Sequence, residues 1–280
     1  MDTLPIFIRD HADAQLLPWQ CQVEAAERFG VTLAQVEDVA LERRIMPARY
    51  QRNRKAISVS DQLTLFRSSV AVIGCGGLGG YIVEELARLG VGKIVVIDPD
   101  LFEEHNLNRQ LFSSTENLGQ AKVAAAVKRI NTVNPAVTMV PIQTAFSPEN
   151  GADLLAGCRI AVDALDTIKV RLELAKVCKV LNIPLVHGAI AGWFGHVTTL
   201  FPGDDTLQTI YGSWKNGKGI EETLGNPSFT PALIASLEVA EVCKLLLGQG
   251  TSLRGRQLMI DLYSMEINVI NIDDDDRETA

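Results

Sequence analysis

The 280-residue sequence predicts an α/β fold: a doubly wound, Rossmann-like mixed sheet, mostly parallel, with antiparallel C-terminal strands. Three observations predict it. Short, continuously apolar runs such as "SVAVIG" (69–74) alternate with amphipathic runs of helical period, as buried parallel strands alternate with crossover helices. A glycine-rich turn, "GCGGLGG" (74–80), joins the first such strand to the helix behind it. After Gly192 the alternation breaks, and "FGHVTTLFP" (194–202) reads as a strand of the opposite direction.

Taken in order, residues 1–48 stand apart as a helical extension. "CQVEAAERFG" (21–30) and "TLAQVEDVALERRI" (32–45) carry apolar residues at helical spacing, with a turn at Gly30 and Val31 and Thr32 as N-cap. Pro47 closes the segment. Two short helices around a glycine turn resemble a DNA-reading helix pair. Acidic residues outnumber basic ones here, however, and the second helix offers Gln and Glu where phosphate contacts want Lys and Arg. Packing or partner docking is therefore the expectation.

Residues 49–272 carry the α/β pattern. A helix over 78–92 follows the glycine turn, then a strand at "KIVVID" (93–98) and an alanine-rich helix over 119–134. "AVTMVPIQ" (136–143) is a strand, "ENGADLLAG" (149–157) a helix, and "CRIAVDAL" (158–165) a strand. "KVRLELAKVCKVLN" (169–182) is a helix and "IPLVHGAI" (183–190) a strand. Residues 203–228 read as a Gly/Asp/Asn-rich loop. A long helix over 231–248 opens with Pro231 in its first turn, and "RQLMIDLYSMEINVINI" (256–272) is a two-stranded finish. The acidic end, 273–280, reads as a solvated, disordered tail.

Composition narrows the function. Apolar residues make up 47% and charged ones 21%, an ordinary globular balance with ample core. No run of eighteen apolar residues suits a membrane span, and the N-terminus lacks the basic-then-apolar order of an export signal. Five scattered cysteines with no C-x-x-C pair argue against a disulfide framework and a zinc site, and fit a reducing, cytoplasmic setting. A net charge of −8 opposes non-specific attraction to nucleic acid.

Gly74, Gly76 and Gly79 satisfy G-x-G-x-x-G between a strand and a helix, where backbone N–H groups can meet phosphate. Asp98 ends the next strand, 24 residues after Gly74, placed to accept ribose hydroxyls. Loop and acid together do not separate NAD from ATP. Discrimination comes from "DPDLFEEHNLNRQLF" (98–112), with Asn106, Asn108, Arg109 and Gln110, and from Lys122 at a helix start. A planar Arg fork and a compact ammonium beside a phosphate loop suit a triphosphate about to lose pyrophosphate.

These motifs resemble the ThiF/MoeB/HesA family, relatives of the ubiquitin-activating enzymes. The likeness rests on "RYQRN" (49–53), "GCGGLGG", "DPDLFEEHNLNRQLF", "LGQAKVAAA" (118–126), "DALD" (163–166), "PLVHGAIAGWFGHVTTLFPG" (184–203) and "FTPALIASLEVAEVCKLLLG" (229–248). It implies an enzyme that uses ATP and Mg²⁺ to adenylate the C-terminal Gly-Gly of a ubiquitin-like or sulfur-carrier protein. By position, Gly74, Gly76, Gly77 and Gly79 form the ATP loop, Asp98 matches the ribose-binding acid, and Asp100 falls among the cofactor-binding residues. Asn106, Arg109, Gln110 and Lys122 match triphosphate contacts, and Asp166 the Mg²⁺-associated carboxylate. Arg52 matches an arginine that reaches across a homodimer, with Arg54 next in line. Arg52, Arg109, Lys122 and Asp166 are thus the implied catalytic set. Other readings are adenylation of a small-molecule or tRNA-borne carboxylate, a non-catalytic ATP-binding scaffold, and an NAD oxidoreductase.

The chain departs from the family in two ways. Zinc-binding C-x-x-C pairs are missing, so no zinc site is expected, and residues 204–228 hold no cysteine for a covalent link to the carrier. Catalysis is expected to stop at the acyl-adenylate. Cys75 reads as a buried small side chain, and Cys158, Cys178 and Cys243 as core. His105 stands where relatives often carry serine, beside the implied triphosphate. His187 and His196 are expected to bond backbone groups rather than a metal.

Overall fold

A computed structural model of the protein describes residues 3–212 and 221–272; the acidic tail, 273–280, lies outside the described residues. The N-terminal part comprises α1 (Leu4–Asp10), β1 (Leu16–Leu17), α2 (Trp19–Phe29), α3 (Leu33–Glu42), β2 (Met46–Pro47) and α4 (Val59–Phe66). The alternating part comprises β3 (Ser69–Ile73), α5 (Gly77–Leu89), β4 (Lys93–Ile97), α6 (Lys122–Val133), β5 (Thr138–Ile142), α7 (Pro148–Leu154), β6 (Ile160–Asp163), α8 (Ile168–Leu181) and β7 (Leu185–Ala191). The closing part comprises β8 (Phe194–Leu200), α9 (Thr206–Tyr211), α10 (Glu221–Leu224), α11 (Phe229–Leu247), β9 (Arg256–Asp261) and β10 (Glu266–Asn271).

Eight strands form one sheet in the order β10-β9-β8-β7-β6-β3-β4-β5. The five from β7 to β5 run parallel, and β8, β9 and β10 extend the sheet antiparallel. The predicted fold class is the observed one. Successive side chains of a strand face opposite ways, so each central strand feeds two cores. Val70, Val72, Ile94, Val96, Ile160 and Val162 pack with α5, α6 and α11. Ala71, Ile73, Val95, Ile97 and Ala161 pack with α8 and α9. Burial on both faces is why these strands read as unbroken apolar runs. Each fully buried aliphatic side chain contributes about 1.5–3 kcal/mol.

From β3 the chain builds outward to β4 and β5, then returns to lay β6 on the other side of β3. The loops after β3 and β6 therefore diverge, and a crevice opens at the carboxyl ends of the strands.

Helices α1 to α3 hold a core of their own, with Phe7, Ile8, Leu17, Ala25, Val36 and Ala40. Thr32 caps α3 as expected, in a capping box with Gln35. The segment contains more than two helices, because α1 precedes them and β1 and β2 pair in parallel beside them. The reading of 203–228 as a loop is corrected: it contains α9 and α10. Helix α9 has six residues, too few to show a helical period, and is held by burial of Leu207 and Tyr211. Among the described residues no helix is long and apolar enough to cross a membrane.

Candidate active site

The crevice is a cleft of about 370 Å³ at the tips of β3, β4 and β6. Gly74, Gly76, Gly77, Asp98, Asp100, Arg109, Gln110, Lys122 and Asp166 all line it. Although they span 93 positions of sequence, the strand order brings them together.

The glycines divide by the reason each is glycine. Gly74 has φ +102°, and a Cβ there would lie 2.5 Å from the Ala164 carbonyl oxygen. Gly79 sits on α5 behind the loop, where a Cβ would come within 1.9 Å of the Gly74 carbonyl oxygen. Both are required by the fold. At Gly77, by contrast, the nearest atoms to an added Cβ are Pro231 at 3.6 Å and Arg109 at 3.8 Å, ordinary contact distances. The protein itself leaves room for a side chain at Gly77. A ligand approaching the first turn of α5, where backbone N–H groups stand unpaired, would not.

Asp98 ties the loop to the neighbouring strand. Its Oδ2 accepts the Cys75 N–H at 2.6 Å and its Oδ1 the Asp100 N–H at 2.8 Å. Burial raises its carboxyl above the ordinary range, opposed by those N–H donors and by Lys122. A carboxylate has about four acceptor positions, so capacity remains for ribose hydroxyls. Lys122 opens α6, is buried, and donates from Nζ to Asp100 Oδ2 at 2.8 Å. Arg109 Nη1 donates to the His105 carbonyl at 3.1 Å and to Asn108 Oδ1 at 2.9 Å. Burial lowers the Arg109 pKa from its ordinary value, and the Asp166 charge acts the other way. Gln110 is buried with Oε1 unpartnered. Asp166 is exposed at the tip of β6 and, among the described residues, accepts only the neighbouring Thr167 hydroxyl, at 3.1 Å, leaving its carboxylate open to the cleft.

Four residues singled out in the sequence stand elsewhere. Asn106 is buried, and its Oδ1 accepts the Glu103 N–H at 2.9 Å in the short 3-10 turn Glu104–Asn106. It shapes the segment that presents Arg109 and does not line the cleft. Arg52 and Arg54 are exposed and do not line the cleft of their own chain. His105 is exposed beside Glu103, 3.4 Å away.

The histidine expectation is corrected. His187 Nδ1 bonds Asp163 Oδ2 at 2.8 Å, and its Nε2 lies 3.0 Å from the Tyr211 hydroxyl and 3.2 Å from His196 Nε2. The partners are side chains rather than backbone, because Asp163 of β6, His187 of β7, His196 of β8 and Tyr211 of α9 meet on one face of the sheet. Burial holds both imidazoles below their ordinary pKa. Among the described residues no group of three or more His, Cys, Asp or Glu is arranged to hold a metal ion. The sequence reading missed Asn226, in the loop before α11, and the wall Thr144–Phe146 after β5; both line the cleft. A strand tip after β5 could have suggested the wall, whereas nothing local distinguishes Asn226.

A helix N-terminus meeting a strand-tip acid and two cations across a parallel-sheet switch point defines a nucleotide-binding protein of Rossmann-like build. The chain belongs to the ThiF family, which residues 50–279 match. It is 32% identical over 226 residues to a SAMP-activating enzyme E1 of Haloferax volcanii, covering 79% of this chain and 84% of that protein. It is 31% identical over 227 residues to the adenylyltransferase and sulfurtransferase MOCS3 of Xenopus laevis, covering 77% of this chain but only 49% of that protein. In fold it is similar to E. coli MccB solved with ATP: TM-score 0.69, 19% identity, covering 90% of this chain and 82% of that one. The chain is accordingly an enzyme of the adenylyltransferase class.

Proposed function

We propose that the enzyme uses ATP and Mg²⁺ to adenylate the C-terminal Gly-Gly carboxylate of a ubiquitin-like or sulfur-carrier protein, releasing pyrophosphate. The observation that carries this reading is Gly77, a glycine the protein does not need, set at the start of α5 where an added Cβ would still stand 3.8 Å from Arg109. A phosphate group is the ligand that such a position favours.

The carboxylate is ionised at neutral pH and needs no general base. Its oxygen attacks the α-phosphorus in line, one P–O bond forms, and the bond to the leaving pyrophosphate breaks with its electron pair. Positioning supplies most of the acceleration, because two anions must be held together. Asp98 fixes the ribose, the α5 N-terminus holds phosphate, and Arg109 and Lys122 balance the charge gathering on pyrophosphate. Lys122, whose Nζ is 2.8 Å from Asp100 Oδ2, exchanges that partner for phosphate. Asp166 suits Mg²⁺, which takes few carboxylates and completes its shell with phosphate oxygens and water. Held there, the ion would supply positive charge against that of the phosphates. Arg52 acts from the second protomer of a homodimer, in keeping with its exposure and its distance from the cleft of its own chain.

ATP–pyrophosphate exchange driven by a protein ending in Gly-Gly tests the reading. Asp166→Asn and Arg109→Ala should each lower exchange by at least about 10²-fold, the effect of removing one preorganised charge partner. Retention of exchange in both variants would refute the assignment.

A further inference from the structure

The cleft has two ends. Toward β4 and β5 it is walled by Ile97–Asp100 and Thr144–Phe146, and toward β6 and β7 by Ala164–Thr167, Ile190 and Asn226. With Asp98 on the ribose, adenosine occupies the first end and the phosphates cross the N-terminus of α5 in the middle. The acyl substrate is left the second end, where Arg171 and Ile190 also border a neighbouring cavity of about 770 Å³ along β7, β8, β9 and β10.

The backbone around Asn226 is fastened on both sides. Gly192 N–H donates to the Gly225 carbonyl at 2.7 Å, and Thr230 Oγ1 donates to the Gly192 carbonyl at 2.7 Å. Asn108 Nδ2 donates to the Asn226 carbonyl at 3.1 Å, while Asn108 Oδ1 accepts from Arg109. The side chain is not fastened in this way: its Oδ1 is buried without a partner. The orphaned atom is the amide oxygen, and a half-turn of the amide sets the NH₂ group in its place, so a side chain on this fixed backbone at the edge of the cleft can turn N–H donors to a ligand group.

We infer that Asn226 binds the substrate carboxylate at the acyl end of the cleft, its amide N–H donors holding the nucleophile in line with the α-phosphate. This rests on the adenylation reading. The amide offers two N–H donors, and a half-turn chooses which face meets the ligand. A carboxylate accepts at both oxygens, so one can bond the amide while the other attacks. A neutral donor orients the nucleophile without cancelling the charge with which it attacks, as a cation would. The tie through Asn108 places this donor in register with Arg109, so the acyl and phosphate groups are positioned by one connected segment.

Calorimetric titration of the full chain with ATP, AMP and N-acetylglycyl-sulfamoyladenosine, a stable glycyl-adenylate mimic, tests the inference. The wild type should bind ATP, and should bind the mimic more tightly than AMP. Asn226→Ala should weaken the mimic about tenfold, the worth of one good hydrogen bond, and leave ATP and AMP within about twofold. Asn226→Asp, which sets a carboxylate against the acyl group, should weaken the mimic further. Unchanged mimic binding in both variants overturns the inference, as does an equal loss on all three ligands, which would make Asn226 a wall of the nucleotide site. A wild type that binds ATP but gains nothing from the glycyl group refutes the glycine-carboxylate reading itself and the inference with it.

Discussion

Glu238 lies on α11 with no exposed surface, and among the described residues neither carboxylate oxygen has a side-chain hydrogen-bond partner. Gly188 makes space for it, since a Cβ there would stand 2.4 Å from its Cδ. Burial first, and the Asp163 charge second, push its carboxyl well above the ordinary value of 4.5. Folded, the group keeps its proton; unfolded, it loses the proton above that value. Unfolding therefore releases a proton, and this residue's contribution to stability falls as pH rises from about 4.5 toward the raised folded value. Glu238→Gln, which cannot ionise, should melt above the wild type at pH 8, by about 2–4 °C per kcal/mol recovered, with the gap closing near pH 4. Thermal melts at the two pH values check this, and a gap independent of pH would contradict it. The same scale shows what the sequence reading could reach. Asp98, Arg109, Lys122 and Asp166 sit in motifs of fixed spacing, so each was legible; Asn226 sits 118 positions from its partner Asn108 and carries no local signal. Burial decides the state of Glu238, and burial follows from tertiary packing.

Helix α5 is the element in which fold and function compete for glycine. Gly79→Ala would drive a methyl into the Gly74 carbonyl and should destabilise the protein by about 2 kcal/mol or more, through overpacking. Gly77→Ala meets only ordinary contacts and should melt within about 0.5 kcal/mol of the wild type, as a surface change does. It should nevertheless lose most of its ATP affinity. Denaturant melts paired with ATP titration separate the two, and a Gly77→Ala protein that binds ATP normally would remove the phosphate role of this position. Strands β3, β4, β6 and β7 were legible because a double-sided core demands continuous apolar runs. Helix α4 went unread although Ser58 and Asp61 form its capping box. Helix α9 was hidden for another reason, since its six residues depend on packing against the sheet rather than on their own pattern.

Across the whole molecule, the N-terminal helices join the α/β body through buried polar groups. Arg49 donates to Glu37 Oε2 at 2.6 Å, to Asn134 Oδ1 at 2.7 Å and to Gln22 Oε1 at 2.7 Å. The Tyr50 hydroxyl donates to Glu37 Oε1 at 2.8 Å and accepts from Asn134 Nδ2 at 2.8 Å. Arg49→Met would leave Glu37 buried without its cation, at a cost of about 3–5 kcal/mol. Limited proteolysis should then cut within residues 1–48 well before the body, and simultaneous loss of both parts would show that they unfold as one unit. The sequence marked residues 1–48 as a separate segment, yet could not show this junction, because it bonds residues up to 85 positions apart. Sulfur chemistry follows from packing on the same scale. All five cysteines are free, and Cys75, in the glycine loop itself, is 1% exposed. Burial, reinforced by Asp98, raises its thiol far above neutrality, and burial holds Cys178 at about 12 and Cys243 at about 11. Peroxide and alkylating agents react with thiolates, which these sites do not supply. The glycine loop thus carries a thiol but no thiolate, and a cysteine-directed alkylating agent should leave Cys75 unmodified for as long as the protein stays folded.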